Sequence, residues 1–110
     1  MQADPKKEIL MQIQIHSIHF DADQKLIDFC HKKMEKLSTV HEKITTTEIF
    51  LRLDKDTTNE NKVAEIKMKV PGKELFASRQ CKSFEEAVDL SVEALKNQME
   101  KYKGKTLGKL

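Results

Sequence analysis

Apolar residues recur along this chain with two periods, and residues 65–80, EIKMKVPGKELFASRQ, show the shorter one most plainly. With Pro71-Gly72 as the loop, Met68 falls opposite Leu75 and Ile66 opposite Ala77. On the other face Lys69 meets Glu74 and Lys67 meets Phe76. One side is apolar and the other mostly charged, as a half-buried antiparallel hairpin requires. The same period of two runs through MQIQIHSIHF, where Met11, Ile13 and Ile15 alternate with Gln12, Gln14 and His16. It returns in ITTTEIFLRL, a stretch rich in β-branched residues that sets Thr47, Ile49, Leu51 and Leu53 on one face. KVAEIKMKV then sends Ala64, Ile66, Met68 and Val70 inward, and KELFASR forms the returning strand.

Between and after the strands the period lengthens to that of a helix. Leu26, Cys30, Met34 and Leu37 form one apolar stripe, widened by Phe29. Asp21 or Asp23 can cap its start, and Ser38 with the polar residues behind it predicts its end. Ser83 and Glu86 have the spacing of a capping box. Behind them Phe84, Ala87, Val88, Ser91, Val92, Leu95, Met99 and Tyr102 make a second stripe, with Gly104 as the expected stop. The order is β-α-β-β-β-α. The economical fold is α+β: a single domain with a four-stranded mixed sheet and two helices packed on one face, a layout resembling the double-stranded-RNA-binding domain. A helical crossover makes the first strand pair parallel, and hairpins make the rest antiparallel. The folded domain is expected over residues 11–105. Residues 1–10 read as an extension, native or added, because Met11 would serve equally as initiator, and residues 106–110 read as a basic tail.

Length and composition narrow the class without naming a function. A chain of 110 residues supports one hydrophobic core. No apolar run approaches the ~20 residues needed to cross a bilayer, and MQADPKKEIL lacks the apolar centre of a secretory signal. A soluble cytoplasmic protein with no membrane partner is the expectation. Charged residues make up 35% of the chain, yet 20 Lys+Arg against 18 Asp+Glu leave a net charge of only +2, so the balance alone implies no anionic partner. Position carries more information. Lys96, Lys101, Lys103, Lys105 and Lys109 crowd the C-terminus with Glu100 opposing them, while Glu85, Glu86, Asp89 and Glu93 lie just upstream. Cys30 and Cys81 are too few for a disulfide scaffold and read as reduced thiols.

Catalytic constellations fail on geometry. His16 and His19 lie three apart on a strand and so point to opposite faces, which keeps them from sharing a metal. Cys30 and His31 diverge on their helix, and neither cysteine has a histidine in a recognisable nucleophile setting. Asp54, Asp56, Thr58 and Glu65 match part of a calcium-loop spacing, but Asn59 replaces the turn glycine and Lys62 takes the ninth position. Three scattered glycines make no phosphate loop. The residues therefore point to a protein that is not an enzyme and has no cofactor or metal.

Binding surfaces are the alternative, each weighed against a plain solvated face. Lys25, Lys32 and Lys36, with Lys33 beside them, and the basic end of the last helix can track phosphates. Asp28 and Glu35 dilute the first group, and positive charge at a helix C-terminus also offsets the helix dipole. Phe50 and Phe76 share the outward face of the sheet, where they can stack bases or form a small patch under lysine and arginine stems. Arg79 and Lys82 flank Cys81 at the entry to the last helix.

The words MQIQI, KKMEKL, VPGKELFAS and SFEEAVDLSVEALKNQMEKYK, in this order, resemble the ribosome hibernation-promoting factor family, also called protein Y or sigma-factor modulation protein. The resemblance runs from Met11 to Lys105. It implies binding to ribosomal RNA of the small ribosomal subunit in starved or stationary cells, in the channel where messenger and transfer RNA lie. It also implies a mechanism of occupancy in which basic side chains of both helices hold phosphates. On matching positions, Lys33 and Lys36 correspond to the basic end of the family's first helix, and Lys101, Lys103 and Lys105 to that of its second. Lys25, Lys32, Arg79, Lys82 and Lys96 complete the candidate RNA contacts. The chain departs from the family pattern at Ser17-Ile18, where Gly-Arg is usual, at Ala94 and Asn97, often basic, and at Glu85, often Tyr. The sequence resembles a short form that would rely on a separate factor to pair ribosomes. A protein-interaction module using the open sheet face, including a homodimer, and a general double-stranded-RNA binder remain the alternatives.

Overall fold

The computed structural model describes residues 12–40, 44–55 and 59–107, and for residues 39–40 and 103–107 the description is of the backbone. Six elements follow in order: β1 (Gln12–Ile18), α1 (Gln24–Val40), β2 (Thr46–Leu53), β3 (Lys62–Val70), β4 (Lys73–Cys81) and α2 (Phe84–Leu107). The strands form one sheet in the order β1-β2-β3-β4. β1 and β2 are parallel, and the remaining pairs are antiparallel.

The β3–β4 hairpin has the expected register, with Met68 opposite Leu75, Ile66 opposite Ala77, Lys69 opposite Glu74 and Lys67 opposite Phe76. Its loop is Pro71-Gly72 between the paired Val70 and Lys73. Proline fixes its own φ near −65°, and Gly72 takes a φ of 77°, a left-handed backbone that side chains other than glycine's resist. A Cβ there would meet nothing within 4 Å, so the demand for glycine is conformational and not spatial.

Both helices start on side-chain caps. The Leu26 amide donates to Asp23 Oδ1 at 2.9 Å, and the Glu86 amide donates to Ser83 Oγ at 3.1 Å. Their ends differ from expectation. α1 runs two residues beyond Ser38, and α2 passes through Gly104 to Leu107. A glycine stops a helix by turning left-handed at its end, whereas inside one it costs only about 1 kcal/mol against alanine. Gly104 stays helical, and the chain continues to add hydrogen bonds beyond it.

The core lies between the helices and one sheet face. Met34, Ile49, Leu51, Ile66, Met68, Val88, Leu95 and Met99 are fully buried, each contributing roughly 1.5–3 kcal/mol by burial. Leu53, expected inside, is 48% exposed because it sits at the open end of β2. Buried Ser91 is accommodated by donating to the Ala64 carbonyl at 3.4 Å.

Polar and ring contacts fix the helix directions. Phe20 and Phe84 stack with centroids 4.9 Å apart, which brings the starts of α1 and α2 together. Gln98 Nε2 donates to the Phe76 carbonyl at 2.8 Å, and the Tyr102 hydroxyl donates to the Pro71 carbonyl at 3.0 Å. α2 therefore ends beside the Pro71-Gly72 turn. The two helices run side by side in the same direction, with their C-terminal halves at one end of the sheet.

Candidate nucleic-acid interface

At 100° per residue, Leu26, Cys30, Met34 and Leu37 of α1 face the core, and all four are buried. Lys25, Lys32 and Lys36 fall on the outward flank nearer α2 and are exposed. Lys33 lies deeper on that flank and is turned into the groove between the helices. Its Nζ is 2.7 Å from Asp89 Oδ1 and 5.6 Å from the centre of the Phe29 ring. Lys33 thus has a structural partner from α2, a pairing that spacing along one helix does not reveal.

The outward face of α2 changes sign along its length. Glu85, Glu86, Asp89 and Glu93 are exposed on its first half, together with Leu90. Lys96 and Lys101 are exposed on its second half, with Glu100 between them and Asn97 uncharged. Acidic residues near the start of a helix and basic residues near its end both favour its dipole. Lys103 and Lys105 belong to the helix, and their side chains lie outside the described residues. Of the described lysines, Lys36 lies in the last turns of α1 and Lys96 and Lys101 in the second half of α2, whereas Lys32, next to Lys33, stands at the middle of α1, level with Asp89. Lys25 stands at the opposite end of α1. Arg79 and Lys82 lie apart as well, at the entry to α2, where Arg79 donates to the Ser78 carbonyl at 2.7 Å.

The open sheet face offers less to a base. Phe50 already stacks on His16, with centroids 4.7 Å apart and planes 15° from parallel, and Lys67 Nζ lies 5.8 Å from its ring centre. His16 Nε2 also sits 3.4 Å from Glu48 Oε2. Arg52 bridges Glu65 at 2.7 Å, which ties down the last residue of the calcium-loop spacing; Asp56 and Thr58 of that spacing lie outside the described residues. Phe76 remains 48% exposed. A shallow groove of about 230 Å³ crosses this face, lined by Gln14, Glu48, Lys67, Lys69 and Glu74 among others, so its charges are mixed. Among the described residues no group of three or more His, Cys, Asp or Glu is placed to hold a metal.

Neither cysteine is set up as a nucleophile. Burial, with Glu85 adding to it, pushes the Cys30 thiol up to about 12 from an ordinary value of 9.0. Cys81 is likewise raised, first by burial and then by Glu86 and Glu60, against a smaller opposite pull from Arg79. Both thiols are therefore protonated at neutral pH.

The fold and this distribution of charge can be set against known proteins. The family model described as Sigma 54 modulation protein / S30EA ribosomal protein matches residues 13–106. The chain belongs to this family. A ribosome hibernation promoting factor of Pseudomonas putida is 27% identical over 95 residues, which cover 86% of this chain and 89% of that protein. Among solved structures, a ribosomal subunit interface protein from Coxiella burnetii superposes with a TM-score of 0.76 at 23% identity, covering 86% of this chain and 99% of its own. The N-terminal domain of Protein Y from Thermus thermophilus gives a TM-score of 0.71 at 19% identity, covering 84% and 99%. These two likenesses show the shared fold. No helix among the described residues is long and apolar enough to cross a membrane.

Proposed function

We propose that the protein is a ribosome hibernation factor that silences translation by occupancy. It sits on the small ribosomal subunit, in the channel used by messenger and transfer RNA, and makes or breaks no bond. Membership of the family and the hibernation-factor relative support the ribosomal assignment. The observation that carries the mechanism is the parallel course of the two helices, which sets the end of α1 bearing Lys36 toward the half of α2 bearing Lys96 and Lys101, with Lys32 one turn earlier. Two helix ends with exposed ammonium groups can follow a phosphate backbone, releasing its condensed counterions. Lys103 and Lys105 would extend the strip. Lys33 contributes chiefly by holding α1 against α2.

Co-sedimentation with purified small subunits over a salt series tests this reading. Roughly one protein per subunit should bind, with affinity falling steeply as salt rises. Replacing Lys96, Lys101, Lys103 and Lys105 together by Glu should weaken binding on the order of 10²-fold or more. Subunit binding that ignores these reversals but fails in Phe76→Ala would move the contact to the open sheet. Equal affinity for random duplex RNA would make the protein a general A-form binder.

A further inference from the structure

The sheet has two edge strands, and they are finished differently. On β4 the hairpin register turns the carbonyls of Glu74, Phe76, Ser78 and Gln80 away from β3. Two of these carbonyls are already engaged, Phe76 by Gln98 of α2 and Ser78 by Arg79. Lys73, Glu74 and Arg79 add charge to this edge, and charge deters a second strand. Among the described residues β1 has none of these protections. Its sequence, QIQIHSI, contains no Lys, Arg, Asp, Glu or Pro.

The backbone of β1 shows which groups are left open. The Gln12 amide donates to the Thr45 carbonyl at 3.0 Å, and Gln12 pairs with Thr46 in the parallel ladder. Gln12, Gln14, His16 and Ile18 therefore bond toward β2, while Ile13, Ile15 and Ser17 turn their N–H and C=O groups outward. Among the described residues no side chain caps those three carbonyls. The side chains of Ile13, Ile15 and Ser17 face the helix layer, yet all three are only half-buried, whereas Thr47, Ile49 and Leu51 directly inside them are sealed. The flank of α1 above this edge, opposite the one that holds Lys33, carries half-buried Ile27, His31 and Ser38. Exposed Glu35 stands at its outer rim, 40° round the helix from His31.

The geometry points to a homodimer in which β1 of one copy pairs antiparallel with β1 of a second copy, about a two-fold axis at Ile15, to make one continuous eight-stranded sheet. In that register Ile15 faces its own counterpart and Ile13 faces Ser17 of the other copy. All three outward donors and all three outward acceptors of each strand are then satisfied. On the helix side the partly wet isoleucines cover one another, and the Ile27, His31 and Ser38 flanks of the two α1 helices come together, with Glu35 at the outer rim. On the open side Gln14 meets His16, and no like charges are opposed. A two-fold axis makes the contact isologous and closed, so pairing stops at two copies. The lysine strip leans toward α2 and stays outside the seam.

Sedimentation equilibrium of the full chain over a concentration series should show a mass approaching twice 12.8 kDa. Ser17→Pro removes an N–H that has no partner among the described residues, so the fold should survive, checked by its melting transition, while the mass falls to that of one chain. Gln14→Lys with His16→Lys opposes two lysine pairs across the seam and should also give monomer. Gln14→Glu with His16→Lys makes the same two pairs attractive and should restore the dimer. A chain mass of 12.8 kDa at every concentration overturns the proposal, as does a dimer indifferent to Ser17→Pro. Failure of the oppositely charged double variant to recover the dimer overturns the register at Ile15. A monomer that dimerises only after residues 1–10 are deleted overturns it too, by assigning the edge to the chain's own N-terminal segment.

Discussion

The two halves of the helical layer use charge differently. In the N-terminal half, charges and rings serve the fold: Phe20 stacks on Phe84, Lys33 bridges to Asp89, and Glu85 sits close enough to Cys30 to raise its thiol. In the C-terminal half Lys36, Lys96 and Lys101 are exposed, and the helix is anchored from below by Gln98 and Tyr102 on backbone carbonyls. The near-neutral total of +2 over the whole chain thus hides a change of sign along the helical layer. Net charge conceals this polarity, and for a partner made of phosphate the polarity decides which end approaches first.

The comparison is broken most strongly by removing the lock. Phe84→Ala deletes a half-buried ring and its stacking partner for Phe20, and should lower stability by about 2–3 kcal/mol in urea unfolding. At temperatures where the variant stays folded, its affinity for the small subunit should be within about twofold of the parent, because no lysine of the open end has been touched. A loss of affinity matching the loss of stability would mean that the two halves do not act separately.

This division was only partly legible from sequence. The hairpin could be read residue by residue, because a two-residue Pro-Gly loop fixes the register and a slip of one residue would turn Met68 and Ile66 into water. The cap at Ser83 was legible for a similar reason, a local contact of three residues' span, while the first helix's cap was narrowed only to Asp21 or Asp23, of which the fold uses Asp23. The order of elements and the family resemblance are borne out by the sheet and the family match. Gly104 misled because glycine weakens a helix without having to end it. The partner of Lys33 was out of reach: Asp89 is 56 residues away, and only the packing of α1 against α2 brings them together. Composition counts both lysines alike, so it cannot separate one held in a bridge from one free to meet a partner.

A smaller effect sharpens the comparison through pH. The Cys30 thiol is raised in the fold to about 12 from an ordinary 9.0, chiefly by burial and secondarily by Glu85. Below pH 9 the thiol is protonated in both folded and unfolded chains, so its contribution is fully present. As pH rises from 9 toward 12, the unfolded chain releases this proton while the folded chain keeps it, and stability falls. The slope from this one group is about 1.4 kcal/mol per pH unit. Cys30→Ala should flatten the decline by about 1 kcal/mol when stabilities from urea unfolding are compared at pH 9 and pH 10, because the unfolded thiol is only half ionised at pH 9. An unchanged slope would place the thiol in contact with water.

The smallest effect concerns the bridge itself. Lys33 and Asp89 are both partly exposed, at 32% and 55% of their side chains, so solvent screens much of their attraction. Asp89→Asn keeps the shape and removes the charge, and should cost no more than about 1 kcal/mol of stability. Its effect on binding has the opposite sign. Loss of one carboxylate beside the basic strip, with Lys33 released from its partner, should leave affinity for the small subunit unchanged or slightly higher at low salt, and equal at high salt. Lys33→Met cuts the same bridge from the other side and removes a positive charge. If Lys33 serves the fold alone, the two variants should lose similar stability and bind alike at high salt. If Lys33 itself reaches phosphate, Lys33→Met should bind more weakly than Asp89→Asn, and the slope of affinity against salt should fall by close to one ion in that variant alone.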